Sequence, residues 1–158
     1  MYYDYLDTVL GKIYLLADEN GLRQLTIASG GFSPDERWEH DPNFMSPFTT
    51  QLREYLQGKR KKFNLDLAPQ GTTFQCQVWT ALQEIPYNSQ RSYHQIAAHI
   101  EHPCAIQAIS MAKNVNPIPI IIPCHRVASS QEAKDSCRYG QDVIVQLRAL
   151  ENGEQTLI

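Results

Sequence analysis

One segment, residues 116–127, constrains the fold more than any other part of the chain. It reads Asn-Pro-Ile-Pro-Ile-Ile-Ile-Pro-Cys-His-Arg-Val. Its isoleucine run is too short for a helix, and β-branched residues favour strands. The prolines restrict the backbone and remove amide donors, which also argues against a helix. We therefore predict a buried, extended strand that ends by presenting the thiol of Cys124 beside the imidazole of His125.

A thiol next to an imidazole is a candidate for nucleophilic chemistry. The thiolate is the reactive form of cysteine, and an isolated thiol with a pKa of about 8.5 stays mostly protonated at neutral pH. His125 is a base that could generate the thiolate of Cys124. The alternative is that Cys124 is a small core hydrophobe, because free cysteine is among the most buried residue types.

Length and composition limit the classes of protein to which the chain can belong. With 158 residues it can form one large domain or two small ones. A net charge of -3 is unfavourable for binding nucleic acid, since neutralising phosphates supplies most of that affinity. Its 4 cysteines include no C-x-x-C pair, so neither a zinc site nor a disulfide framework is expected.

The location of the protein is also predicted from the sequence. No apolar run reaches the roughly 20 residues needed to span a bilayer. The acidic start, Met1-Tyr2-Tyr3-Asp4, differs from a secretory or transit signal. Reduced thiols fit the cytosol. We therefore expect a cytoplasmic protein with no membrane partner.

The first half of the chain predicts a small sheet with a helix. Residues 9–28 contain two apolar runs around Asn20-Gly21, a pair typical of tight hairpin turns. A helix is predicted to begin at Ser46-Pro47, with serine as its N-cap, and to end at Gly58. Phe63–Leu67 alternates apolar and polar residues like a short strand.

A pattern break at Ala68–Gly71 predicts a domain boundary. We expect an N-terminal α/β domain over residues 1–70 and a C-terminal domain over residues 71–158. The basic run Lys59–Lys62 precedes this boundary. It could contact DNA phosphates, or it could be a solvated turn that favours the dipole of the preceding helix.

The second half predicts a helical domain. Two short helices joined by a tight turn, with the second over residues 105–112, fit a helix-turn-helix of winged-helix type, although any helical hairpin shows this pattern. A last helix is predicted to stop near Asn152-Gly153. Capping boxes, which satisfy orphan backbone donors, begin two of the helices: Thr72 with Gln75, and Ser92 with Gln95.

The string Pro-Cys-His-Arg-Val at residues 123–127 resembles the active-site signature of the 6-O-alkylguanine-DNA alkyltransferases, also called methylated-DNA–protein-cysteine methyltransferases. Cys124 stands at the alkyl-accepting position of that family. Asn116, eight residues upstream, stands where the family has its hinge asparagine. The likeness is strong from Thr73 to Val127 and looser in the first half.

This resemblance implies a repair function. An alkyl group on the exocyclic oxygen of guanine would pass irreversibly to Cys124, so that each molecule acts once. His125 would be the general base, acting through a water, and Glu151 would orient its imidazole. Tyr93 would assist the leaving guanine, and Asn116 would hold the turn before the strand. No cofactor and no metal are expected.

The resemblance also implies the partner, which is double-stranded DNA containing an alkylated guanine, bound by a monomer. The helix-turn-helix would enter the minor groove and rotate the damaged nucleotide into a pocket. The expected DNA contacts are Ser92, Ala105, Gln107, Ala108 and Arg126, of which Arg126 could instead pair with a helix carboxylate. The expected pocket residues are Val127, Tyr139 and Gly140.

The chain departs from the family pattern at three places. Gln107 replaces the usual arginine that fills the gap left by the flipped base. Tyr139-Gly140, preceded by Cys137 and Arg138, replaces the usual Gly-Gly pair of the loop. The last helix reads Leu-Arg-Ala-Leu-Glu at residues 147–151, where the family usually has Leu-Leu-x-Leu-Glu.

The sequence is compatible with two other functions. The first is a module that recognises alkylated guanine and recruits other repair factors without accepting the group, although relatives of that kind lack the cysteine. The second is a Cys-His hydrolase of small esters or amides. A hydrolase needs an oxyanion hole, and no Gly-rich loop near Cys124 provides one.

Overall fold

The structure is a computed structural model that describes residues 1–28, 32–128 and 139–158. Its N-terminal part contains β1 (Tyr2–Thr8), β2 (Gly11–Asp18), β3 (Gly21–Ala28), β4 (Glu39–His40) and α1 (Pro42–Leu56). The four strands form one sheet in the order β3-β2-β1-β4, and α1 packs on it. Strands β1 to β3 are antiparallel neighbours, and β4 pairs with β1 in parallel.

The hairpin predicted within residues 9–28 is confirmed as β2 and β3. Alternate residues of β2 face the core, where Ile13, Leu15 and Ala17 are fully buried. Strand β1 has no counterpart in the sequence prediction. Its sequence mixes tyrosines with acidic residues and lacks a regular apolar alternation, and Tyr5 packs against Tyr14 of β2 with ring centroids 5.7 Å apart.

Gly21 begins β3 at a position where a side chain does not fit. Its φ is +133°, and an added Cβ would lie 2.4 Å from the carbonyl oxygen of Asp66. Gly58 has a φ of +75° but nothing within 4 Å of an added Cβ. We expect Gly21→Ala to lower the free energy of unfolding by about 2–4 kcal/mol, and Gly58→Ala by about 1 kcal/mol. Urea unfolding measures both, and equal losses would contradict the clash.

Helix α1 begins five residues earlier than predicted, so the Ser46-Pro47 start is wrong. Asp41 is the N-cap, and its side chain accepts a hydrogen bond of 3.0 Å from the amide of Phe44. Pro42 then occupies the first helical position, where a missing amide costs nothing. The sequence contains two pairs in which a good N-cap residue precedes a proline, Asp41-Pro42 and Ser46-Pro47. The helix begins at the first of them. The predicted stop at Gly58 is confirmed.

The short strand predicted for Phe63–Leu67 is wrong apart from one bridge. Only Leu67 pairs with the sheet, in a parallel bridge to Leu22. The amide of Leu22 donates to Asp66 and its carbonyl accepts from Ala68, both at 2.8 Å. The chain therefore makes a single β-bridge to the edge of β3 as it leaves the N-terminal part.

The C-terminal part is helical, so the predicted fold class is confirmed: a sheet-and-helix part is followed by a helical part. Both predicted capping boxes are present. No helix in the described ranges is long and apolar enough to cross a membrane. The elements are α2 (Thr73–Gln83), β5 (Arg91–Ser92), α3 (Tyr93–His99), α4 (Ile106–Asn114), β6 (Val127–Ala128) and α5 (Gln141–Glu151). The boundary between residues 70 and 71 stays a prediction.

Helices α3 and α4 pack together as the predicted helix pair. Ile109 and Ala112 of α4 face the core, whereas Gln107, Ala108 and Met111 are exposed. The side chain of Met111 is 70% exposed. Helix α4 thus presents an uncharged face to the surroundings.

Candidate active site

The segment before Cys124 is buried as predicted, but it is a compact turn and the predicted strand is wrong. Asn116 holds both ends of this turn. Its Oδ1 accepts from the amide of Ile118 at 3.0 Å, and its Nδ2 donates to the carbonyl of Ile122 at 2.9 Å. Ile120 has a φ of 75°, which breaks any extended run. The prolines leave few amides for a sheet ladder, so a side chain supplies the bonds instead.

Cys124 follows this turn at the start of a 3₁₀ helix, Cys124–Arg126. Its amide donates to the carbonyl of Ile122 at 2.8 Å. Cys124 is partly exposed, whereas the next two residues are buried. The other described residues lining the small pocket at Cys124 are Lys113, Asn114, Asn116, Pro119, Tyr139 and Ile144.

His125 is held by Glu151 of α5. His125 Nε2 lies 2.6 Å from Glu151 Oε2, and both side chains are almost fully buried. An ionised carboxylate only accepts hydrogen bonds, so Nε2 carries the proton and Nδ1 keeps a lone pair. This Nδ1 is buried and has no hydrogen-bond partner among the described residues. Burial lowers the pKa of His125, although Glu151 acts in the opposite direction.

Glu151 is the centre of the buried polar network. Its Oε1 accepts from the amide of Asn88 at 2.9 Å and from Nε of Arg126 at 3.0 Å. Its Oε2 accepts from Nη2 of Arg126 at 2.9 Å and from Oη of Tyr55 at 2.5 Å. Burial alone would raise the pKa of Glu151. The hydrogen bonds from His125, Arg126 and Tyr55 outweigh it and hold that pKa well below its ordinary value.

Arg126 belongs to this network, and its predicted contact with DNA stays a prediction. Only 8% of Arg126 is exposed. Its Nη1 donates to the carbonyl of Ile85 at 2.7 Å, while its other nitrogens bind Glu151. A buried cation needs such a partner, which is the alternative that the sequence left open. Arg126 therefore fixes the carboxylate of Glu151 inside the buried network.

Two family models match this chain. The DNA binding domain model of 6-O-methylguanine DNA methyltransferase matches residues 73–153, and its ribonuclease-like domain model matches residues 1–69. The chain belongs to the 6-O-methylguanine DNA methyltransferase family.

Curated relatives named methylated-DNA–protein-cysteine methyltransferase align with this chain over most of their length. The methylated-DNA–protein-cysteine methyltransferase of Methanosarcina barkeri is 41% identical over 145 residues, which cover 90% of this chain and 92% of the relative. The constitutive enzyme of that name from Bacillus subtilis is 37% identical, covering 84% and 83%. A crystal structure of Mycobacterium tuberculosis OGT in complex with DNA has a TM-score of 0.88 and 33% identity, covering 99% of this chain and 96% of that one.

In this member of the methyltransferase family, Tyr93 is brought towards the Cys124 segment by strand pairing. Arg91 and Ser92 of β5 pair in parallel with Val127 and Ala128 of β6. Tyr93 follows directly as the first residue of α3 and is 3% exposed. The hydroxyl of Ser92 accepts from the amide of Gln95 at 3.1 Å, so this predicted DNA contact also caps α3.

The other predicted site residues of the methyltransferase lie at different depths. Gln107 and Ala108 are exposed on α4, and Ala105 is half-buried just before it. Tyr139 lines the pocket with Cys124, whereas Val127 is buried in β6 and Gly140 precedes α5. Cys137 and Arg138, two of the residues that depart from the family loop, lie outside the described residues, as does most of the loop predicted over residues 128–140.

Sequence reasoning missed Tyr55, Asn88 and Lys113 at this methyltransferase site. Tyr55 lies on the apolar stripe of α1 and gives no polar signal in the sequence. Asn88 donates its backbone amide to Glu151, and its backbone is left-handed with a φ of 56°. The only sequence signal for this conformation is an asparagine directly after Pro86-Tyr87. Lys113 is 4% exposed, with its Nζ 5.5 Å from the ring centroid of Tyr93. A lysine near a helix end ordinarily indicates solvent, so its burial was unexpected.

Proposed function

We propose that this chain repairs DNA as a methylated-DNA–protein-cysteine S-methyltransferase. It would transfer an alkyl group from the 6-oxygen of guanine in DNA to Cys124, once per molecule. The observation that carries this proposal is the partly exposed thiol residue directly followed by a buried imidazole whose Nε2 is fixed by Glu151. The names of the relatives, and the complex of one neighbour with DNA, support it.

His125 would act as the general base in this reaction. Its Nδ1 lone pair accepts the Cys124 proton through a water, and Glu151 stabilises the imidazolium that forms. The thiolate sulfur then attacks the alkyl carbon, so that a carbon–sulfur bond forms as the carbon–oxygen bond breaks. The electron pair passes to the guanine, which Tyr93 assists by donating a proton. The thioether product has no hydrolysable bond, which makes the transfer stoichiometric.

The damaged base must first leave the duplex, at a cost of a few kcal/mol in lost stacking. We propose that α4 enters the minor groove, with Ala105 and Ala108 allowing close approach and Ser92 contributing from the start of α3. Gln107 would lie nearest the gap left by the flipped nucleotide. Val127, Tyr139 and Gly140 would then surround the guanine. The exposed residues of α4 carry no charge, so other surfaces supply the attraction to phosphates.

An arginine at position 107, where the family usually has one, should speed the reaction on duplex DNA. We expect Gln107→Arg to raise the rate on a duplex about tenfold, because a longer cationic side chain fills the gap and contacts the opposite strand. The rate on a single-stranded oligonucleotide should change much less. Met111→Arg adds the same charge one turn along α4 and is the matched control. Equal acceleration by both variants would mean that charge alone is responsible.

The hydrolase alternative is weakened by the backbone at Cys124. An oxyanion hole commonly uses the amide of the nucleophile, and the amide of Cys124 is already bonded to Ile122 at 2.8 Å. The recognition-module alternative is weakened by the presence of the cysteine itself. Neither alternative has an observation in its favour.

Mass spectrometry tests the proposal directly. Equimolar protein is mixed with a duplex that carries one 6-O-methylguanine, and an unmethylated duplex of the same sequence is the control. The expected result is a single added methyl group on the peptide containing Cys124, and none on those containing Cys76 or Cys104. Binding without a mass change would identify a recognition module. Repeated turnover of a small ester would identify a hydrolase.

We also propose that the protein works as a monomer in the cytoplasm. Cys76 and Cys104 are free thiols in the part of the chain that the structure describes. A thiolate nucleophile has to stay reduced before it meets its substrate, and cytosolic conditions maintain this state.

A further inference from the structure

The N-terminal helix α1 reaches into the proposed active site through one hydroxyl group. Tyr55 is fully buried, and its ring lies 5.2 Å from that of Phe63 and 6.2 Å from that of Tyr87, measured between centroids. Its Oη donates to Glu151 Oε2 at 2.5 Å and lies 3.4 Å from His125 Nε2. Helix α1 thus contacts both partners of the histidine–carboxylate pair.

We propose that Tyr55 is a positioning residue for the transfer reaction, which sets the charge and orientation of Glu151 and through it the basicity of His125. This inference rests on the proposed function and deepens it. Tyr55 would touch neither DNA nor the alkyl group. It acts only through Glu151, and it makes the N-terminal part of the chain a contributor to the chemistry.

The hydroxyl and the imidazole compete for one carboxylate oxygen. Oε2 of Glu151 accepts from Tyr55, from His125 and from Nη2 of Arg126. Each donor that stabilises the negative charge makes the carboxylate a weaker acceptor for the others. The Tyr55 bond therefore reduces the extent to which Glu151 stabilises a charged imidazolium. It favours the neutral His125, whose Nδ1 lone pair the reaction needs.

Tyr55 stays a donor throughout the working pH range. Burial raises its pKa well above the ordinary value, and the negative charge of Glu151 raises it further. A proton on its Oη is therefore present whenever the thiol can react. The bond is also protected from competition with solvent, since neither Tyr55 nor Glu151 is accessible.

Other charged groups face the same pair, and Tyr55 is distinct from each of them. Arg126 binds Glu151 directly, and Arg148 of α5 donates from Nε to the backbone carbonyl of His125 at 3.0 Å. The ring of Tyr87 lies 5.6 Å from the guanidinium carbon of Arg126, and Lys61 Nζ lies 5.8 Å from the centre of that ring. Cys124 adjoins the pair in sequence. Both arginines disfavour a charged imidazole, as Tyr55 does indirectly.

The experiment is a pH profile of Cys124 alkylation in Tyr55→Phe, with Tyr87→Phe as the matched control. The first variant removes a donor to Glu151 and keeps the ring, whereas the second removes a nearby hydroxyl for which no bond to Glu151 is present. Two reactions are followed by mass spectrometry of the peptide that contains Cys124: methyl transfer from the 6-O-methylguanine duplex, and alkylation of Cys124 by iodoacetamide without DNA. The full chain is used in both.

We expect the acid limb of both profiles to move up by about one pH unit in Tyr55→Phe. At about pH 6 the rate should therefore be roughly tenfold lower. The sign follows from the competition: without the hydroxyl, Glu151 stabilises the imidazolium better, so the pKa of His125 rises. The rate above the acid limb should stay within about threefold of the unchanged chain. Tyr87→Phe should leave the acid limb in place.

A uniform loss of rate at every pH, or no change in the profile, would overturn the proposal and leave Tyr55 a packing residue. In a Glu151→Gln background, Tyr55→Phe should produce no further shift, and an undiminished shift there would also overturn it. The iodoacetamide reaction separates this inference from the proposed function. If no methyl group arrives from DNA but the shift is seen with iodoacetamide, the function fails and the role of Tyr55 stands.

Discussion

Cys124→Ala is expected to abolish methyl uptake completely while leaving binding to the methylated duplex intact. The substitution removes only the sulfur, which is the one atom that accepts the alkyl group in the proposed reaction. His125 cannot replace it, because its imidazole is buried and its Nε2 is held by Glu151. Cys124 is partly exposed, so losing its sulfur should cost at most about 1 kcal/mol of the free energy of unfolding.

The measurement combines intact mass with fluorescence anisotropy on the same duplex. Cys104→Ala is the matched control, since Cys104 is another cysteine of the chain and lies on the surface at the turn before α4. That variant should accept one methyl group as the unchanged chain does. Residual uptake by Cys124→Ala would show that another side chain is the acceptor. Loss of binding as well would show that the thiol contributes to recognition.

The local features that the sequence predicted correctly are those for which only one arrangement satisfies the backbone amides. Thr72 with Gln75 and Ser92 with Gln95 form capping boxes because each pair satisfies its own orphan amides. The start of α1 had two solutions, and no local rule chooses Asp41 over Ser46. The parallel pairing of β4 with β1 ends just before Asp41, and it is a contact distant in sequence that no local rule includes.

The segment 116–123 shows why burial was easier to predict than conformation. Its isoleucines had to leave water, and they did. A strand also needs a neighbouring strand to bond its amides, and the prolines left too few amides to make a ladder. Asn116 instead closes the segment upon itself through Ile118 and Ile122. The resemblance to the family pointed to Asn116, but the turn it makes needed the structure.

The residues of the candidate site that belong to a sequence motif could be predicted. Those that reach the site only through tertiary packing could not. Cys124, His125 and Glu151 came from the family pattern, and the buried pair between the last two is present. Tyr55 reaches Glu151 across 96 residues of sequence. A tyrosine on an apolar helix stripe ordinarily indicates core packing, so nothing in its spacing marks a hydroxyl that binds a carboxylate. Arg126 had two possible partners, and the structure shows its bond to Glu151.

Glu151→Gln is expected to lower the free energy of unfolding by about 3–5 kcal/mol and to slow methyl transfer strongly. Glutamine keeps the shape of the side chain but removes the negative charge, which leaves the guanidinium of Arg126 buried without its counter-ion. It also removes the group that stabilises the imidazolium of His125 during transfer. Urea unfolding measures the first effect and single-turnover methyl uptake the second, with Glu154→Gln, an exposed carboxylate on the same terminal segment, as control.

The pH dependence of this loss distinguishes a charge effect from a packing effect. The pKa of Glu151 is held well below the ordinary value of 4.5 in the folded chain, so its carboxylate stabilises the fold above that value. The stability is lost as the pH falls through 4.5 towards the lower folded pKa. The difference in unfolding free energy between Glu151→Gln and the unchanged chain should therefore be largest at neutral pH and shrink in acid. A difference that is the same at every pH would mean that lost shape, and not lost charge, destabilises the variant.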